Sequence, residues 1–232
     1  VLSDDFQCAV ASLDAACVNT SDGTEVLFAI EGVGEQTAAV QGGKAVTVFH
    51  IENVHLWDGV ADPYLYSVAA LLPDGDAVAV NFGCRKIAFK QDTDLWLNGS
   101  NVRLVGAERN QARGGIGNAL TAAEHEEDMQ ILRDMGANTV RLAHYQHAQY
   151  FYDLCDQYGL VVWAEIPYIT EHMPEATANT LSQMEELVLQ NYNHPSIISL
   201  GLSNEITVTT GVTENLTANH RLLNDLCHRL DA

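Results

Sequence analysis

The hydrophobic period of this chain changes once, near residue 95, and that change restricts its fold more than any other feature. Over residues 1 to about 90, apolar side chains recur at every second position: Val26/Phe28/Ile30, Val46/Val48, Tyr64/Tyr66/Val68, Val78/Val80/Phe82 and Ile87/Phe89. A period of two predicts half-buried strands. Turn signals separate them at Asp22-Gly23, Glu31-Gly32, Gln41-Gly42-Gly43, Asp58-Gly59 and Pro73-Asp74-Gly75. Short strands at this spacing predict an antiparallel β-sandwich of immunoglobulin-like type over residues 1–91. Nothing in this stretch gathers acids, bases or ligands, so its expected role is structural.

Residues 92–232 read differently. The hairpin signal Asn98-Gly99 leads to an expected first buried strand at Val102 to Val105. Thr121-Ala122-Ala123-Glu124 has the form of a capping box and opens a helix with Met129, Leu132 and Gly136 along it. Thr139 to Leu142 is a second strand, followed by a helix carrying Phe151, Leu154, Cys155 and Tyr158 and closed by Gly159. The nearly continuous apolar run Leu160 to Glu165 is that of a parallel strand buried on both faces. A third helix uses Leu181, Met184, Leu187 and Val188; a strand from Ile197 ends at Asn204-Glu205; a fourth helix uses Leu223, Leu226, Cys227 and Leu230.

Four βα units with right-handed crossovers are half of an eight-stranded barrel, and locally they are also a small open α/β sheet. Polar residues favour the barrel, because they cluster where its strands end: Glu108, Arg109 and Asn110 at the first, Arg141 and His144 at the second, Glu165 and Glu171-His172 after the third, Asn204 and Glu205 at the fourth. In a (β/α)8 TIM barrel these would converge on the face that carries the active site. Glu205, set after an apolar strand and behind an amide, is the candidate general acid/base.

Composition narrows the partners. With 31 Asp and Glu against 11 Lys and Arg, the net charge is −20, which opposes nucleic acid and anionic membrane surfaces and suits a neutral ligand. The 5 cysteines show no zinc spacing and read as reduced thiols. No apolar run reaches the ~20 residues of a membrane span, and no signal peptide opens the sequence, so the expected setting is the cytoplasm; the open strand edges of a half-barrel are expected to favour a homo-oligomer against the repulsion of the negative charge.

The sequence resembles glycoside hydrolase family 2, the family of β-galactosidases, β-glucuronidases and β-mannosidases. Seven segments carry the resemblance in the family's order: Asp62-Pro63-Tyr64-Leu65-Tyr66, Gly83-Cys84-Arg85-Lys86, Leu95-Trp96-Leu97-Asn98-Gly99, Val140-Arg141-Leu142-Ala143-His144-Tyr145, Tyr152-Asp153-Leu154-Cys155-Asp156, Tyr158-Gly159-Leu160 and Ser203-Asn204-Glu205. The resemblance implies a fragment of a retaining exo-β-glycosidase holding the immunoglobulin-like domain and the first half of the catalytic barrel. It implies that Glu205 is the acid/base, that Asn204 binds the sugar 2-hydroxyl, and that His144, Arg141, Arg109, Asn110 and Trp163 shape the sugar site. The nucleophile is expected on a later strand, so these residues alone are expected to be inactive.

Ala143-His144-Tyr145 and Asn204-Glu205-Ile206 point within the family to terminal β-galactosides and neutral oligosaccharides. A β-glucuronidase, a β-mannosidase and a noncatalytic carbohydrate-binding module are the alternatives. Some β-galactosidases hold magnesium through a Glu-x-His after the third strand; Glu171-His172 are adjacent and displaced here, so no metal ligands are assigned.

Overall fold

The computed structural model describes residues 1–90, 94–209 and 211–231. The expected domain boundary at 91/92 falls outside the described residues. Contacts divide the chain into two compact units, Val1–Val102 and Arg103–Ala232.

In the first unit, β1 (Cys8–Ala16) pairs antiparallel with β4 (Lys44–Glu52). A second antiparallel sheet has the order β3 (Gly34–Ala39), β2 (Glu25–Ile30), β5 (Tyr66–Leu71), β6 (Ala77–Phe82). Both sheets contribute to one core, with Ala9, Val26, Phe28, Ile30, Ala45, Phe49, Ile51, Tyr66 and Val68 buried. Alternation is therefore the right signal, but Val78 and Val80 of β6 are 58% and 41% exposed, and the phase fails on β4. Val46 and Val48 point outward, 52% and 43% exposed, while Ala45, Phe49 and Ile51 face the core. Since the side-chain period is two, a strand can be recognised while its faces are exchanged.

A separate three-stranded sheet joins β7 (Ile87–Lys90), β8 (Asp94–Leu97) and β9 (Ser100–Val102). Its β8–β9 turn is Asn98-Gly99, with φ of 48° and 80°, the two left-handed positions a tight hairpin requires.

The second unit is a parallel sheet of order β10 (Gly106–Asn110), β11 (Thr139–Ala143), β12 (Val161–Glu165), β13 (Ile197–Gly201). Between and after these strands lie α1 (Ala122–Asp134), α2 (Gln149–Tyr158), α3 (Thr177–Gln190) and α4 (Glu214–Leu230). The first strand corrects the sequence reading. Val102 belongs to β9, Leu104 and Val105 are 42% and 49% exposed, and the barrel strand is Gly106–Asn110. Its polar sequence hid it, and Gly106 shows why it lies there: a Cβ at 106 would fall 1.9 Å from the Thr139 backbone oxygen.

Helix starts and stops follow local chemistry. Thr121 and Glu124 form the capping box of α1, the Thr121 N–H donating to Glu124 Oε2 at 2.7 Å. Gly159, with φ of 74°, ends α2 in the left-handed region. Thr213 Oγ1 caps α4 by accepting from the Leu216 N–H at 3.1 Å. The apolar helix faces, including Met129, Leu132, Phe151, Leu154, Met184, Leu187, Leu223 and Leu226, close over Val140, Leu142, Val162 and Ala164 of the sheet. Burying each large apolar side chain contributes about 1.5–3 kcal/mol.

Candidate active site

Strand register decides which side chains meet. Glu108 lies opposite Arg141 on β11, and Arg141 lies opposite Trp163 on β12, so three residues form one row across the sheet. Two residues beyond Trp163, Glu165 points to the same side because alternate residues of a strand share a face. The core-facing neighbours Val140, Leu142, Val162 and Ala164 point the other way, into the helices.

Arg141 is the hub of this face. Its Nε donates to Glu165 Oε1 at 2.5 Å, and Nη2 donates to Glu165 Oε2 at 3.2 Å. Nη1 donates to Glu108 Oε2 at 2.7 Å, and Nη2 also donates to Asn204 Oδ1 at 2.7 Å. The Arg141 guanidinium lies 5.2 Å from the centre of the Trp163 ring. The carboxylate of Glu165, followed by Glu108, holds the Arg141 pKa above its ordinary value. Glu165 is 1% exposed, and this guanidinium is the partner of its buried carboxylate. His144 Nδ1 lies 3.1 Å from Arg141 Nη2 and 3.3 Å from Glu165 Oε2; without a proton on Nδ1 it accepts from the arginine, and with one it donates to the glutamate.

Gly201 makes room for the pair. A Cβ there would stand 2.6 Å from both Glu165 Cγ and Trp163 Nε1. Beyond β13 the chain carries Asn204, whose N–H donates to the Tyr168 carbonyl at 3.0 Å and whose carbonyl accepts from the Thr170 N–H at 3.0 Å. Glu205 follows, exposed and in the left-handed region at φ 48°.

The sequence-predicted residues thus separate into groups. Arg141, His144, Asn204 and Trp163 share the Arg141-centred cluster, and Glu205 is adjacent to it through Asn204. Asn110 is exposed at the end of β10, opposite Ala143 in register. Arg109 is not brought to the cluster: one residue after Glu108, it points to the helix side. There its Nε donates to Asp128 Oδ2 at 2.9 Å, its Nη1 donates to His147 Nδ1 at 2.9 Å, and its Nη2 donates to His125 Nδ1 at 3.0 Å. Its guanidinium also lies 3.8 Å from the centre of the Phe151 ring, and burial lowers its pKa. Glu108 and Glu165, expected at strand ends on this face, join the cluster as the carboxylate partners of Arg141. The signal for them was the period of two, which puts Trp163 and Glu165 on one face.

A magnesium site of the Glu-x-His kind does not fit these residues. His172 is buried with both ring nitrogens engaged, Nδ1 by the Tyr168 hydroxyl and Nε2 by Asn215 Oδ1 at 2.5 Å. Among the described residues, the grouping with metal-ligand spacing is Asp153, Asp156 and His194, and it is not built from the Arg141 cluster. An open recess of about 450 Å³ in the first unit is lined by Ala29, Gly32, Gly34 and Ala69 with Glu31 and Glu35, none of them a member of the Arg141 cluster.

Comparison with known proteins bears on the family and the fold. Residues 87–232 match the glycosyl hydrolases family 2, TIM barrel domain. A β-glucuronidase of Bacteroides fragilis is 41% identical over 169 residues, covering 67% of this chain and 24% of that protein. A β-galactosidase of Thermoanaerobacterium thermosulfurigenes is 30% identical over 224 residues, covering 92% of this chain and 29% of that protein. The crystal structure of an FMN-binding β-glucuronidase from Facaelibacterium prausnitzii L2-6 superposes with a TM-score of 0.90 at 36% identity, covering 99% of this chain and 37% of that one. The chain therefore spans about a quarter of the length of the curated relatives it matches.

Proposed function

The chain belongs to glycoside hydrolase family 2, and from that premise we propose that it forms part of the catalytic centre of a retaining exo-β-glycosidase, with Glu205 as acid/base. The observation that carries the reading is the shared side-chain network that fixes Asn204 immediately before Glu205. Arg141, half-buried and paired with the buried Glu165, aims a guanidinium N–H at Asn204 Oδ1, so the Asn204 amide nitrogen is turned away from that contact and is free to donate to a sugar hydroxyl. Glu205, exposed beside it, stands where a leaving-group oxygen can be protonated.

Retention requires a second carboxylate about 5–5.5 Å from the first, which attacks the anomeric carbon while the acid protonates the departing oxygen. The carboxylate of Glu165 is committed to Arg141, and that of Glu108 to the same guanidinium. The family resemblance implies a nucleophile on a later barrel strand. Arg141, His144 and Trp163 line the sugar side in this reading, Asn110 flanks it, and Arg109 acts from behind β10 as a structural cation. The two sheets of the first unit are the family's immunoglobulin-like domain, and residues 92–232 are the amino-terminal half of its barrel.

The sugar is a terminal β-glucuronide in the reading that the 41% identical relative supports. A terminal β-galactoside is the second reading, favoured by Ile206 after Asn204-Glu205 and by the net charge of −20, which suits a neutral substrate better than an anionic one. Nitrophenyl β-glucuronide, β-galactoside and β-mannoside offered to the full-length protein separate these. Turnover of the glucuronide at enzymatic rates with little of the others is expected. Turnover of none of them would refute the glycosidase reading and leave the noncatalytic carbohydrate-binding alternative.

A further inference from the structure

Glu205 occupies a backbone conformation that a non-glycine residue enters only at a cost in free energy, with φ of 48°. Such a residue keeps its place when its neighbours over-determine it. On the β12 side they do so through the backbone: Asn204 exchanges hydrogen bonds with Tyr168 and Thr170 at 3.0 Å each. On the opposite side the fixing group is a side chain of α4. His220 Nε2 lies 2.7 Å from Ser203 Oγ, and Ser203 is the residue immediately before the Asn204-Glu205 pair.

The direction of that bond can be deduced. His220 Nδ1 lies 2.9 Å from the Leu216 carbonyl oxygen, which can only accept, so Nδ1 carries the proton. In the neutral ring Nε2 is then an acceptor, and the Ser203 hydroxyl must donate to it. The ring is also held in place by Tyr168, with centroids 5.6 Å apart, the same residue whose carbonyl binds the Asn204 N–H. Helix, imidazole, serine and strand end are thus a single hydrogen-bonded chain that stops one residue short of the proposed catalytic pair.

We propose that His220 is a positioning residue for the proposed glycosidase reaction: through Ser203 it holds the Asn204-Glu205 segment in register, so that the Glu205 carboxyl meets the leaving-group oxygen. The proposal rests on the glycosidase reading given above. It adds a residue from helix α4 that touches neither the sugar nor the reacting atoms.

The test uses the full-length protein with S203A, H220A, the double variant and S203T, each assayed on a nitrophenyl glycoside and on an alkyl glycoside of the same sugar. Misplacing an acid by a fraction of an ångström to an ångström costs up to about 100-fold, and the cost falls where protonation is needed. Each alanine variant is therefore expected to lose about 10- to 100-fold in kcat on the alkyl glycoside, with a much smaller loss on the nitrophenyl one and a KM near that of the wild type. The double variant should be no worse than either single one, and S203T, which keeps the hydroxyl, should recover most of the loss. Equal losses on both substrates, additive losses, or wild-type rates would overturn the proposal. If the wild-type protein hydrolyses no glycoside, the glycosidase reading fails on its own. The positioning role is then decided by crystal structures of S203A and H220A, where an unmoved Glu205 overturns it and a shifted one upholds it.

Discussion

Glu205 and Arg141, linked through Asn204, illustrate two different uses of charge. Glu205 is exposed and followed by a turn, the Val208 N–H donating to its carbonyl at 3.0 Å, so its carboxyl is available to a ligand. In the full-length protein, Glu205→Gln is expected to slow glycosides with poor leaving groups by about 10²–10⁴ and to affect activated aryl glycosides far less, since general acid assistance is needed only for the former. Steady-state rates on the two substrate types check this, and an equal loss on both would remove Glu205 from the acid role. Arg141 instead neutralises a carboxylate that is 1% exposed. Arg141→Ala leaves Glu165 charged and buried, which destabilises by about 3–5 kcal/mol. Urea unfolding should show that loss, and the double variant R141M/E165L should be distinctly more stable than R141A. Equal stability of R141A and wild type would mean that Glu165 does not depend on the pair.

At the scale of elements, the helix side of β10 is joined to α1 through Arg109, His125 and the half-buried Asp128, and to the β11–α2 segment through His147 and Phe151. The His147 Nε2–H donates to the Ala143 carbonyl at 3.1 Å, and Nδ1 accepts from Arg109, so the neutral ring is the form that fits. Burial, reinforced by the Arg109 charge, lowers the His147 pKa to about 4. The unfolded chain, with an imidazole near 6.5, binds the proton first as pH falls. Stability from this residue is therefore complete above pH ~6.5 and is lost on descending toward pH ~4, a total of about 3 kcal/mol. Chemical unfolding at steps between pH 7 and 4 checks the sign and the window. His147→Gln should flatten that dependence, and an unchanged slope in the variant would place its origin elsewhere.

The same elements show what the sequence reveals and where it falls short. Strands β11, β12 and β13 and helices α1 to α4 were legible because their apolar spacing and caps are local signals: Thr121 with Glu124, Gly159, and the run before Asn204. Strand β10 was placed too early because Gly-Ala-Glu-Arg-Asn has no apolar pattern; its pairing is set by a close backbone approach to Thr139, which is a tertiary fact. Arg141, His144, Asn204 and Trp163 could be predicted to meet because strand ends of a barrel converge. Arg109 could not be separated from them by type, only by its odd-numbered offset from Glu108, and a one-residue uncertainty in where the strand starts reverses that face.

For the whole molecule, one chemical claim ties these observations together: Glu205 belongs to a retaining centre whose second carboxylate comes from another part of the barrel. Within the second unit the sheet order is β10-β11-β12-β13, a parallel four-strand arc with β10 and β13 as its edges. Glu108 and Glu165 on that arc are both bonded to Arg141. A retaining enzyme passes through a covalent glycosyl intermediate and returns the sugar in its original configuration, whereas an inverting one places water between carboxyls about 6.5–9.5 Å apart. Proton NMR of the full-length protein hydrolysing an aryl β-glycoside distinguishes the two in the first minutes, before mutarotation. The β-anomer of the free sugar should appear first; first appearance of the α-anomer, or no hydrolysis of any β-glycoside, would contradict the account.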